Sequence, residues 1–135
     1  MPFELHPRLA ADTFVIGELA LCRLLLMNDC RYPWLILVPR REALRDFDDV
    51  PMADKPAFHR EIDFASAVLR HETRASKLNI GALGNMVPQL HVHVVARFEG
   101  DEAWPGPVWG FGVAKPYAAD AATQLIARLA RGFGV

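Results

Sequence analysis

The residues with the most chemistry to offer lie in one short run, Gln89-Leu90-His91-Val92-His93-Val94-Val95. Side chains alternate faces along an extended strand, so Gln89, His91 and His93 share one face. Leu90, Val92 and Val94 take the other face, and their apolar packing specifies the register. Imidazoles placed i, i+2 can serve as nucleophile, base or ligand; two half-exposed strand histidines without a role are the plainer alternative. The loop just upstream adds to the set. Gly81 and Gly84 allow close backbone approach or a positive φ, and N–H groups exposed in such a loop can cradle a phosphate oxygen. Asn79 and Asn85 contribute neutral amide donors beside the histidines. Together these groups could hold an anion without a basic surface, although a Gly–Asn turn on its own is ordinary loop chemistry.

Other segments must position that run. Leu19–Met27 and Trp34–Val38 are near-continuous apolar stretches separated by Asn28–Pro33, which predicts two strands joined as an antiparallel hairpin. Their unbroken hydrophobicity predicts a sheet covered on both faces, which helices could supply. Asp54 is placed to cap a helix with Pro56 in its first turn. Phe58, Ile62, Ala65 and Leu69 then recur at helical spacing, and Arg70 and His71 suit the helix C-terminus. Strands are predicted at about Lys77–Ala82 and Leu90–Arg97, paired antiparallel across the glycine loop. Residues 99–115 are rich in Gly, Pro and Trp and read as irregular, and Leu125, Ile126, Leu129 and Phe133 mark a closing amphipathic helix. The expected fold is α+β: an antiparallel sheet of about five strands with a long middle helix and a C-terminal helix.

Composition sets the outer limits. The chain has 135 residues, with 15 Lys and Arg against 16 Asp and Glu, a formal charge of −1. That length fits one domain over residues 1–135. Near-neutrality excludes a broad basic surface for long nucleic acid. The apolar runs fall far short of the ~20 residues that span a bilayer, and the N-terminus has no apolar signal core, so a cytoplasmic protein is expected. Cys22 and Cys30, the two cysteines, are too few for a disulfide scaffold and read as buried small hydrophobes.

The run Asn79–Val95 resembles the active-site segment of the histidine-triad (HIT) superfamily, whose signature is His-φ-His-φ-His-φ-φ behind an Asn and Gly loop. Asn28–Pro39 is similar to the family's ribose-binding hairpin, and with the helix between, the resemblance covers roughly residues 3–98. It implies chemistry at the α-phosphate of a dinucleoside polyphosphate or nucleoside phosphoramidate. His91 would be the nucleophile that forms a nucleotidyl-histidine for water to cleave. His93 would hydrogen-bond phosphoryl oxygens or the leaving group. Asn79, Gly84 and Asn85 match the phosphate-facing loop, and Asn28 matches the ribose ligand, with Asp29 as its alternative. Strand alternation would set those last two on opposite faces, so that one serves. The resemblance also implies a homodimer whose sheets join, and no obligatory metal, with Mg²⁺ only as the companion of a polyphosphate substrate.

The sequence departs from the family pattern at two positions. Gln89 stands at the first triad position, where it can hydrogen-bond but carries no proton at pH 7. Met86 stands where relatives often place a phosphate-binding hydroxyl. Arg31 and Arg97 could substitute, but a surface role is the expectation for each. Tyr32 and Trp34 read as packing residues, with a base wall as the alternative, and Trp104 and Trp109 as packing under the loop, with a pocket cover as theirs. His59 and His71 read as solvent-facing or capping, and His6 as part of an N-terminal arm. Two rival functions remain: a nucleotide-binding module with little turnover, and a metal-dependent enzyme built on the His91/His93 pair.

Overall fold

The computed structural model describes residues 2–135. A short helix, α1 (Pro7–Asp12), leads into β1 (Thr13–Glu18), β2 (Cys22–Met27) and β3 (Trp34–Pro39). Two single 3-10 turns precede the long helix α2 (Lys55–Thr73); then come β4 (Lys77–Gly81), β5 (Val92–Arg97) and α3 (Ala119–Phe133). The five strands form one sheet in the order β1-β2-β3-β5-β4, and every neighbouring pair is antiparallel. The predicted α+β class and both predicted hairpins are therefore present.

The central strand β3 is buried along its whole length, as its unbroken apolar sequence requires. On one face Leu24, Leu26, Leu35, Leu37, Val92 and Val94 pack against Phe58, Ile62, Ala65 and Leu69 of α2 and Leu129 and Phe133 of α3. On the other face Leu25, Ile36, Val38 and Val95 are covered by Leu9 of α1 together with Val87, Ala103 and Val108. Cover on both faces is as predicted, with helices supplying the first. The second cover is instead a six-residue helix and the irregular chain after β5, where Pro and Gly prevent a regular element.

Several boundaries and roles also move. Leu19–Leu21 form the turn from β1 rather than the start of β2: Leu19 N–H bonds to the Cys22 carbonyl at 2.8 Å. β4 ends at Gly81, and β5 begins at Val92, so Leu90 and His91 precede the paired strand. Asp54 does not cap α2 with its side chain; its carboxylate is held by Arg41 at 2.9 and 3.1 Å. Cys30 is exposed rather than buried, while Cys22 is buried, its thiol pushed up by burial and by the nearby Glu61.

Glu61 is a charged residue facing inward from α2, and its partners explain it. Its carboxylate accepts the Leu21 and Cys22 N–H groups at 2.9 and 2.7 Å, pinning the β1–β2 turn to the helix. Glu61→Ala leaves two buried donors without a partner, and the expected loss is about 3 kcal/mol of stability, read as a lower urea midpoint. The histidine face should be untouched, because Glu61 lies on the α2 side of the sheet.

Candidate active site

The two histidines stand where β5 emerges from the glycine loop. The pairing of His93 with Gly81 on one side and Ile36 on the other fixes its position in the sheet. His91 sits two residues earlier, beyond the paired region, and Leu90 N–H bonds to the Leu44 carbonyl at 2.9 Å to anchor it. The ring centroids lie 4.9 Å apart, and both residues are buried. Leu90, Val92 and Val94 face the helical core as predicted.

The partners of each ring assign its tautomer. His91 Nδ1 lies 2.7 Å from the Gln89 carbonyl oxygen. A carbonyl only accepts, so Nδ1 carries the proton and the Nε2 lone pair is bare. His93 is arranged the opposite way. Trp34 Nε1–H donates to His93 Nδ1 at 2.9 Å, so that nitrogen is bare and Nε2 holds the proton. One ring thus offers a nucleophile or base, and its neighbour offers a donor.

Burial keeps both rings neutral. It pushes His93 down to about 3, with His91 adding a smaller effect. Burial also lowers His91; the Gln89 carbonyl opposes this, and nearby His6 lowers it further. Because that value lies below the ordinary 6.5, the His91 lone pair persists into mildly acid solution. The His91 ring is therefore expected to titrate with a midpoint below pH 6.5, and NMR of its ring signals from pH 4 to 9 reads it. A midpoint above that value would contradict the buried, neutral ring.

Beside the histidines is a cavity of about 350 Å³ walled by His6, Arg8, Leu9, Met86, Val87, His91 and His93. It continues into a cleft of about 440 Å³ that contains Asn28, Asp29, Arg31, Trp34 and Phe111. Arg8, Asp12 and Met27 line both, so the two form one groove. Asn28 and Asp29 share this cleft rather than facing apart. β2 ends at Met27, and alternation does not extend past it.

Both hairpin residues also hold the loop after β5. Asn28, which lines the cleft, accepts the Tyr117 N–H on its Oδ1 at 2.8 Å. Asp29 receives Arg31 Nε and Nη2 at 2.9 and 2.8 Å, and Lys115 N–H at 3.3 Å. Burial raises its carboxyl, but these hydrogen bonds outweigh burial and hold it below the usual carboxylate range.

The other loop residues spread out. Gly84, with φ +71°, lines a small crevice on the far side of His91. Asn85 is exposed and lines neither part of the groove. Asn79 turns its oxygen to Arg97 Nη1 at 2.7 Å.

The arginines overturn the surface expectation. Arg97 is 1% exposed and clasps Asp101 through two bonds of 2.9 Å; the Arg31 side chain is likewise buried on Asp29. Charged residues at sequence positions near turns read as surface, and only their distant acidic and carbonyl partners reveal otherwise. Gln89 is also engaged: its oxygen accepts His6 N–H at 2.8 Å and its nitrogen donates to the Glu4 carbonyl at 2.9 Å. His6 had no site role in the sequence reading, and Trp34 had only packing or a base wall, not the bond to His93. Trp34 had a signal in its strand position two pairings from His93; His6, more than 80 positions away, had none.

The sequence pattern of the HIT domain family matches residues 8–100. The chain belongs to the HIT domain family. A histidine triad (HIT) protein from Sinorhizobium meliloti 1021 is 48% identical over 96% of both chains, with a TM-score of 0.94. A histidine triad protein from Marinobacter aquaeolei VT8 is 42% identical, covering 99% of this chain and 98% of its own, with a TM-score of 0.96. One from Bradyrhizobium japonicum is 43% identical over 98% of both, with a TM-score of 0.95. Among curated proteins none matches. In this HIT-domain chain no helix among the described residues is long and apolar enough to cross a membrane. No group of three or more His, Cys, Asp and Glu among them is arranged to hold a metal.

Proposed function

We propose that this HIT-domain protein hydrolyses nucleotides at the α-phosphate, with His91 as nucleophile and Gln89, His91 and His93 standing at the three triad positions. The observation that carries this reading is the opposed tautomers of the two rings. His91 Nε2 attacks phosphorus, the bond to the leaving group breaks, and a nucleotidyl-histidine forms. Water then attacks the same phosphorus, and the P–N bond to His91 breaks. His93 Nε2–H donates to a phosphoryl oxygen as charge builds there. The nucleoside occupies the Asn28 and Asp29 end of the groove, where Asn28 Nδ2 meets a ribose hydroxyl. The chemistry draws its nucleophile from a side chain, so Mg²⁺ enters only with a polyphosphate substrate.

The substrate class is a dinucleoside polyphosphate or a nucleoside phosphoramidate. Chromatography of a panel of both, with rapid quenching and mass spectrometry of the peptide containing residues 89–97, tests it. Release of nucleoside monophosphate with a nucleotidyl adduct on His91 is the expected result. Release without any adduct would replace covalent catalysis by direct attack of water. Binding with little turnover is the second reading, favoured by Gln89, whose amide is tied to the N-terminal arm at both ends. Tight binding of nucleoside monophosphate with no hydrolysis across the panel would select it. A cytoplasmic homodimer joined through its sheets belongs to the same proposal. Its support is edge strand β4, which leaves Ile80 50% exposed, and light scattering measures it.

A further inference from the structure

Three observations at the mouth of the phosphate cavity concern the arm before α1. Gln89, which stands where a ligand-facing side chain belongs, has both ends of its amide engaged with residues 4 and 6. The arm that it holds brings His6 into the wall of the same cavity as His91 and His93. His6 Nδ1 accepts the Arg8 N–H at 3.1 Å, so in the neutral ring the proton sits on Nε2. Arg8 also lines the cavity, with its Nε turned to Asp12 at 2.8 Å, and the rest of the wall is largely apolar, with Leu9, Met86 and Val87. A phosphate entering it needs donors, and Met86 offers none.

We propose that His6 is a phosphate-binding residue of this site, its Nε2–H donating to a phosphoryl oxygen beside His91 and replacing the contact that Gln89 does not make. Gln89 then acts as a positioning residue that holds the arm. This rests on the α-phosphate reading only for where the phosphate lies; it adds a residue to phosphate binding whether or not turnover follows. His6 and His93 then each donate an Nε2–H beside the bare lone pair of His91.

The probes are adenosine 5′-monophosphate, inorganic phosphate and adenosine, titrated into the full chain by calorimetry. His6→Ser keeps a good helix cap and removes the ring. It is expected to weaken the monophosphate and inorganic phosphate about tenfold, the value of one charge-assisted hydrogen bond, while adenosine binds as before. Gln89→Leu, which frees the arm, should show the same phosphate-selective loss. In the unmodified protein the ¹⁵N signals of the His6 ring should shift on adding the monophosphate. Equal weakening of adenosine and monophosphate would assign His6 a purely structural role and overturn the proposal. So would unchanged monophosphate affinity, or no phosphate binding by the unmodified protein. Absence of turnover with His6-dependent phosphate binding intact would overturn the hydrolase reading and leave His6 in place.

Discussion

His91→Asn is expected to lower kcat by on the order of 10⁴- to 10⁶-fold, the range seen when a catalytic nucleophile is lost. The substitution is gentle on structure, because the Asn amide can still donate toward the Gln89 carbonyl that His91 Nδ1 meets at 2.7 Å. What disappears is the bare Nε2. His93 cannot take its place: its Nδ1 is occupied by Trp34, and its Nε2 bears the proton. His93→Asn should therefore behave differently, losing a donor rather than the nucleophile, with a fall of about 10²- to 10³-fold. Product release followed by chromatography measures both. Turnover in His91→Asn within tenfold of the unmodified protein would remove His91 from the chemistry.

Arg97→Met should cost about 3–5 kcal/mol of stability, because one partner of a buried ion pair is removed and the other stays behind. The side chains of Arg97 and Asp101 are 2% and 6% exposed. Arg97 also donates to the Gly106 carbonyl at 2.8 Å and to Asn79 at 2.7 Å. Its guanidinium lies 5.5 Å from the Trp104 ring centroid and 5.7 Å from that of Tyr32. Asp101 keeps the Phe98 and Trp104 N–H groups at 3.1 and 2.8 Å, which moderates the loss without replacing the cation. The double variant Arg97→Met/Asp101→Asn leaves no charge at this position and should recover part of it. Urea unfolding reads each value. A loss below about 1 kcal/mol for Arg97→Met would place the pair among weak surface bridges.

The contrast between those two sites reflects what a sequence can display. Leu90, Val92 and Val94 alternate with His91 and His93, so periodicity alone oriented the histidines. The stripe of Phe58, Ile62, Ala65 and Leu69 placed α2 in the same way. β1 escaped because Thr13–Glu18 is a six-residue edge strand with a register shift between Val15 and Gly17 and only Ile16 buried. α1 escaped because it is a six-residue helix capped by a histidine. Arg31 and Arg97 looked like surface charges because their environment is set by chain that returns from residues 101–115. No local pattern carries a contact between residues 6 and 89, and a hydrogen bond across 83 positions is visible only once the sheet has formed.

The bond from Trp34 to His93 also makes the site optically addressable. Of the three tryptophans, Trp34 and Trp109 each place a ring 5.6 Å from the His93 ring. Trp104 instead stacks on Arg97. Occupancy of the phosphate cavity changes the surroundings of the first two indoles and not the third. Intrinsic fluorescence, with Trp104→Phe to remove the background emitter, becomes a label-free report of ligand binding, fast enough for stopped-flow separation of binding from chemistry.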